Sequence, residues 1–217
     1  MKPSMAVYLV SAPLVAVAAR ALMIAQYQDE ADQLDSARYL SALADAGTRN
    51  DVGALLAMLG AALYVGAALA LARIVNTRLG TIGAGLSIIG AFGLWSMSIF
   101  ALVAGRLAQE QDRQVSIGVL GRIYTASVFG VFFAALIAGA AGAVLLAIAL
   151  YRGRLVPRAA AVVTGVGGAS LMLTAPGPAV TFVVGGAVLA LIGFGWVATA
   201  ASIPSESERS LADPLPR

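Results

Sequence analysis

Hydrophobic positions along this chain fall in long blocks and do not alternate with polar ones. Six blocks stand out: Met5 to Ala25, Val52 to Ala72, Thr81 to Ala104, Val128 to Tyr151, Ala159 to Ala175, and Ala179 to Ala201. Each approaches the roughly 20 residues that an α-helix needs to cross about 30 Å of hydrocarbon. Backbone groups in lipid must be satisfied within their own segment, so the blocks predict helices; the alternation of a membrane barrel strand is not seen. The fold class expected is therefore all-α: a polytopic transmembrane bundle of six spans occupying residues 1–202. Residues 203–217, with Pro204, Ser205, Ser207, Ser210, Pro214 and Pro216, read as a disordered polar tail.

The first block has a signal-peptide flavour, with Lys2 in front and Ala16-Val17-Ala18 inside. It continues through Ala21-Leu22-Met23-Ile24-Ala25, longer than a usual signal core, so an uncleaved helix is expected. The last two blocks are separated by Pro176-Gly177-Pro178, an uncharged turn that predicts a tight antiparallel hairpin. The longest connection runs from Gln26 to Asp51. Within it Leu34, Leu40 and Leu43 share one side of a helix while Asp32, Asp35 and Asp45 occupy the rest, predicting a short amphipathic outer helix. Gly47 is placed to end it, and Asn50 or Asp51 to cap the second span.

Composition sharpens this picture. Of the 217 residues, 60% are hydrophobic and 12% charged, against roughly 25% charged in soluble domains. There is no cysteine and no histidine. Disulfides, thiolate chemistry, iron–sulfur clusters, His-ligated haem, His-rich zinc hydrolysis and His-dependent triads are thereby excluded. No cofactor or metal is expected, and any catalysis must use Asp, Glu, Arg, Lys, Tyr or Ser/Thr.

The few charges are partitioned. The turns 73–80 and 152–158 hold Arg73, Arg78, Arg152, Arg154 and Arg158 and no acid, whereas Asp29, Glu30, Asp32, Asp35, Asp45, Asp51, Glu110 and Asp112 lie on the other side. By the positive-inside rule the basic turns and both termini are cytoplasmic, in a multi-pass protein of the inner (plasma) membrane. The net charge of +3 is spread over segment ends instead of forming a stripe, so nucleic acid is not expected as a partner.

Small residues recur every fourth position: Ala62-Gly66-Ala70, Ala135-Gly139-Ala143-Ala147 and Ala161-Gly165-Ala169. That spacing lets helix backbones approach closely, which is how helices associate in lipid. Gly165-Val166-Gly167-Gly168 belongs to this packing; it lacks the strand and spacing of a nucleotide loop. The mid-span hydroxyls, among them Ser87, Ser96, Ser98 and Thr164, read as packing groups.

Candidate chemistry is sparse, because no Asp or Glu lies within any span. A coupled transporter needs such a group near the midplane. Arg20 is the one charge inside a span, near its outer end. Arg122 and Tyr124 precede the fourth span, and with Arg20, Asp29 and Glu30 they would face the outer mouth as a site for an amphiphile's anionic head. Asp51, Glu110 and Asp112, assisted by Tyr124, are the candidates for acid chemistry at that mouth, given an apolar pocket to raise the carboxyl pKa.

Two turns carry a resemblance. Arg73-Ile-Val-Asn76-Thr-Arg-Leu79-Gly80 and Tyr151-Arg-Gly153-Arg-Leu-Val-Pro157-Arg158 are similar to the basic cytoplasmic turns of a bacterial family of six-helix membrane proteins, domain of unknown function 4386. The stretch Gln114 to Gly168 fits best. Members often have an acid in the second helix and a basic residue in the third, and this chain has neither. The resemblance implies the architecture and no activity. The function expected is a non-enzymatic integral membrane protein that binds a lipophilic or amphiphilic molecule or a membrane partner protein. An intramembrane cyclase or isomerase acting on an isoprenoid or polyketide-like substrate is the alternative, and a small permease the third.

Overall fold

A computed structural model of the protein describes residues 3–23, 36–173 and 180–202. Among these residues there are eight helices and no strand: α1 (Pro3–Leu22), α2 (Ser36–Ala46), α3 (Thr48–Val75), α4 (Arg78–Leu107), α5 (Arg113–Thr125), α6 (Ser127–Gly153), α7 (Arg158–Leu173) and α8 (Val180–Ser202). Four of them, α1, α3, α4 and α6, are long and apolar enough to cross a membrane; α7 and α8 are shorter apolar helices over their described lengths. The apolar blocks therefore mark six of the helices to within a few residues. The Pro176-Gly177-Pro178 turn, Leu34 and the 203–217 tail lie outside the described residues.

The six apolar helices close into a ring: α1 packs on α3 and on α8, α3 on α4, α4 on α6, α6 on α7, and α7 on α8. One buried cluster draws on all six, including Leu9, Tyr64, Leu71, Ala91, Leu146, Met172, Phe194 and Val197. Around these few large buried residues, most of the buried apolar positions are alanines, and the perimeter is large. Ala and Gly dominate the contacts between helices, while Leu14, Leu59, Ile89, Phe92, Ile137 and Val166 stand out from the perimeter, Phe92 at 66% exposure. A soluble protein would hide such residues; a continuous apolar perimeter marks contact with lipid or another apolar surface.

Helices α4 and α6 approach closely. A Cβ on Gly90 would strike the Cα of Gly139, and one on Gly142 would lie 2.5 Å from the backbone nitrogen of Ser87. Gly139 belongs to the four-residue repeat read from the sequence. On α4 Gly83, Ser87 and Gly90, which meet Gly142 and Gly139, follow a three-and-four spacing, which a search for every fourth residue misses although it marks one helix face equally well.

Local chemistry sets the turns. Asn76 ends α3 in the left-handed conformation (φ 46°), its N–H bonded to the Ala72 carbonyl, and the Thr77 hydroxyl then accepts from Gly80 N at 3.2 Å to start α4. A short helix forms over Ser36–Ala46 with Tyr39, Leu40 and Leu43 buried, and Gly47 follows it at φ 50°. The cap predicted for the second span differs. Helix α3 begins at Thr48 behind Gly47, so Asn50 and Asp51 lie in its first turn, and both side chains are used elsewhere.

Candidate functional site

The end of the ring that receives α2 and α5 carries those residues singled out for chemistry that lie among the described ones. Helix α5 is separate from α6. Ala126 takes an extended conformation (φ −70°, ψ 140°) that ends one helix and begins the next. This break lets Tyr124 and Phe129 flank Phe100 of α4 edge-on, at ring separations of 5.4 and 5.8 Å, while meeting each other at 5.2 Å. Beneath them Tyr39, Leu40 and Leu43 of α2, Ala104 of α4 and Leu120 of α5 form a second apolar core. The cap is thus fastened by its own hydrophobic contacts.

Polar links complete it. Asn50, 1% exposed, donates through Nδ2 to the Ala101 carbonyl of α4 at 3.2 Å. Gly105 makes the room: a Cβ there would sit 2.8 Å from that nitrogen and 3.3 Å from Asp51 Oδ1. Asp51 pairs with Arg106 at 2.9 Å, its side chain 17% exposed and that of Arg106 69%. Arg113 donates to the Ala37 carbonyl at 3.3 Å, joining α5 to α2. Asp112 caps α5, its Oδ1 accepting from Val115 N at 3.1 Å. Burial pushes the Tyr124 phenol up to about 12, a shift opposed by its hydrogen bond with Tyr39.

The predicted site residues do not converge. Tyr124 turns into the aromatic cluster while Arg122 is exposed, because side chains two positions apart leave a helix about 200° apart. Arg20, half-buried in the last turn of α1, is engaged by an interaction of its own. Asp29 and Glu30 lie outside the described residues. Of the three candidate acids, Asp51 is ion-paired, Asp112 is a helix cap and Glu110 is exposed in the α4/α5 connection. Among the described residues no group of His, Cys, Asp or Glu is arranged to hold a metal ion.

Two arrangements could not be read from the chain. In the middle of the ring the buried hydroxyl of Tyr64 (α3) faces Ser87 (α4), and neither oxygen completes a hydrogen bond; the Tyr64 ring meets Phe194 of α8 at 5.9 Å. Ser96, Ser98 and Thr164 instead bond back to carbonyls of their own helices at 2.7 to 2.9 Å. The second is an apolar groove of about 340 Å³ on the perimeter, between α6 and α7 at the basic end. Its lining comes from two helices, so no single stretch of sequence announces it. Comparison with known proteins finds no protein-family model, no curated protein and no solved structure that matches this chain.

Proposed function

We propose that the chain is a six-span inner-membrane protein, with both termini and its basic turns on the cytoplasmic side, that holds an amphiphilic molecule or a membrane partner on the perimeter of its bundle. The observation that carries this reading is the ring's surface: helices closed tightly on one another through alanines and glycines, with a belt of large apolar residues displayed outward. Helices α7 and α8 belong to the ring on equal terms with the four long ones, which supports six spans. The arginine turns without acids support the orientation. Binding is favoured over catalysis because each described candidate acid is paired, capping or exposed. It is favoured over permeation because buried side chains drawn from all six helices, among them Tyr64, Met172 and Phe194, pack together within the ring. The kinship with domain of unknown function 4386 rests on the two basic turns and is part of the proposal.

The absence of cysteine makes topology direct to test. Single cysteines replacing Thr77 and Arg154 should react with an impermeant maleimide only from the cytoplasmic side, and one replacing Gln111 only from the opposite side; all three on one side would overturn the orientation. For function, mild-detergent extracts should retain amphiphile adducts in native mass spectrometry. A substrate flux through proteoliposomes, with no adduct, would establish the permease instead. Arg20→Ala with Arg122→Ala tests the outer mouth separately, and unchanged adducts would assign binding elsewhere.

A further inference from the structure

We infer that the groove between α6 and α7 is a binding site for an anionic phospholipid, one acyl chain lying in the groove and the phosphate meeting the arginines at its basic end. The inference rests on the proposed function and gives that reading a place and a ligand class. The trough exists because its floor is nearly without side chains. Ala147 and Gly165 bring the helices together, a Cβ on Gly165 lying 2.5 Å from that of Ala147. On either side Val144, Ile148 and Tyr151 of α6 and Val162 and Val166 of α7 rise as exposed ridges. An extended hydrocarbon chain has the shape to lie between them.

What covers the groove is indicated by charge. Arg152 lines its end, Arg158 holds its guanidinium 5.5 Å from the Tyr151 ring centre, and Arg154 lies in the turn between. No Asp or Glu occurs from residue 113 to residue 205, nor from 52 to 109. Among the described residues none of these three arginines has a carboxylate partner, whereas Asp51 and Arg106 at the other end do. Unpaired guanidinium groups at the mouth of an apolar trough complement a phosphodiester carrying hydrocarbon, and fork-shaped donors suit that anion. Arg154 adds a second indication. It ends α6 in the left-handed region at φ 52°, which glycine adopts more readily than any residue with a side chain. A glycine would relieve the backbone and lose the guanidinium; the corresponding cap of α3, Asn76, carries no charge.

The test compares phosphatidylglycerol with phosphatidylcholine on the full-length protein by native mass spectrometry. Phosphatidylglycerol should be retained in preference, and Arg152→Gln with Arg158→Gln should weaken that retention by about fivefold for each arginine removed. Val162→Trp, at an exposed groove position, should displace the acyl chain and abolish retention while leaving thermal unfolding unchanged. Arg73→Gln with Arg78→Gln, removing the same charge from the other basic turn, should leave retention as it was. Equal loss from both double variants would reduce the effect to general surface charge and overturn the site, as would full retention in Val162→Trp. A lipid-independent dimer cross-linked through Ile148→Cys would give the groove to a second copy and also overturn it. Equal retention of the two lipids removes this site while the amphiphile-binding reading stands; no retention of any amphiphile removes both.

Discussion

The two ends of the ring use their polar residues in opposite ways. At the α2/α5 end they are consumed by the fold: Asn50 bonds to Ala101, Asp51 pairs with Arg106, Asp112 caps α5, and Tyr39 and Tyr124 join over an apolar core. At the other end the chain makes only short turns, and among the described residues Arg152, Arg154 and Arg158 have no carboxylate partner. A residue conspicuous in the sequence is thus not necessarily one available to a ligand. The richer end is largely satisfied, and the poorer one presents charge outward.

The largest effect should come from loosening the satisfied end. Leu120 is fully buried between α5 and α2, so Leu120→Ala should lower stability by about 2–5 kcal/mol, read by thermal unfolding in detergent. Unchanged unfolding would mean that the cap is not part of the cooperative fold. Asn50→Ala leaves the packing but removes the cross-helix bond; about 1–3 kcal/mol should be lost, and a neutral result would deny that link its structural role.

Arg154→Gly should act in the other direction. Measured in phosphatidylcholine nanodiscs, where no anionic lipid compensates, it should raise stability by about 1 kcal/mol as the left-handed strain is relieved. A loss would show that this arginine serves the fold, erasing the contrast between the ends.

Alkali tests the aromatic cap. The Tyr124 proton leaves near 10 in an unfolded chain and is held to about 12 when folded. The folded chain therefore binds more protons within that window, and the contribution to stability is complete below about 10 and falls as pH rises through about 12. Tyr124→Phe should remove this dependence from the unfolding midpoints; its persistence would assign it to another group. The smallest effect is expected for Asp51→Asn, about 0–1 kcal/mol, because its partner Arg106 is largely exposed.

The legibility of these features follows the range of the interactions behind them. Apolar blocks, the Gly47 turn and the buried face of Ser36–Ala46 depend on neighbours a few positions apart, so they could be read directly. The start of α3 was misplaced because Asn50 and Asp51 look like caps locally but bond to α4, about 50 residues away. The break at Ala126 was equally hidden, since the aromatic contacts it permits draw on α4 as well as on α5 and α6.

Sequence alone determined that this chain is helical, apolar in six blocks, and charged almost wholly in the loops and ends around them, because helix length, hydrophobic burial and the cost of charge in hydrocarbon act locally. Tertiary structure decided which polar groups are consumed and which remain, and where two helices leave a groove. Those outcomes depend on which surfaces meet. A guanidinium beside a carboxylate from a distant helix becomes part of the scaffold, and the same group above an open apolar trough is left to face a ligand.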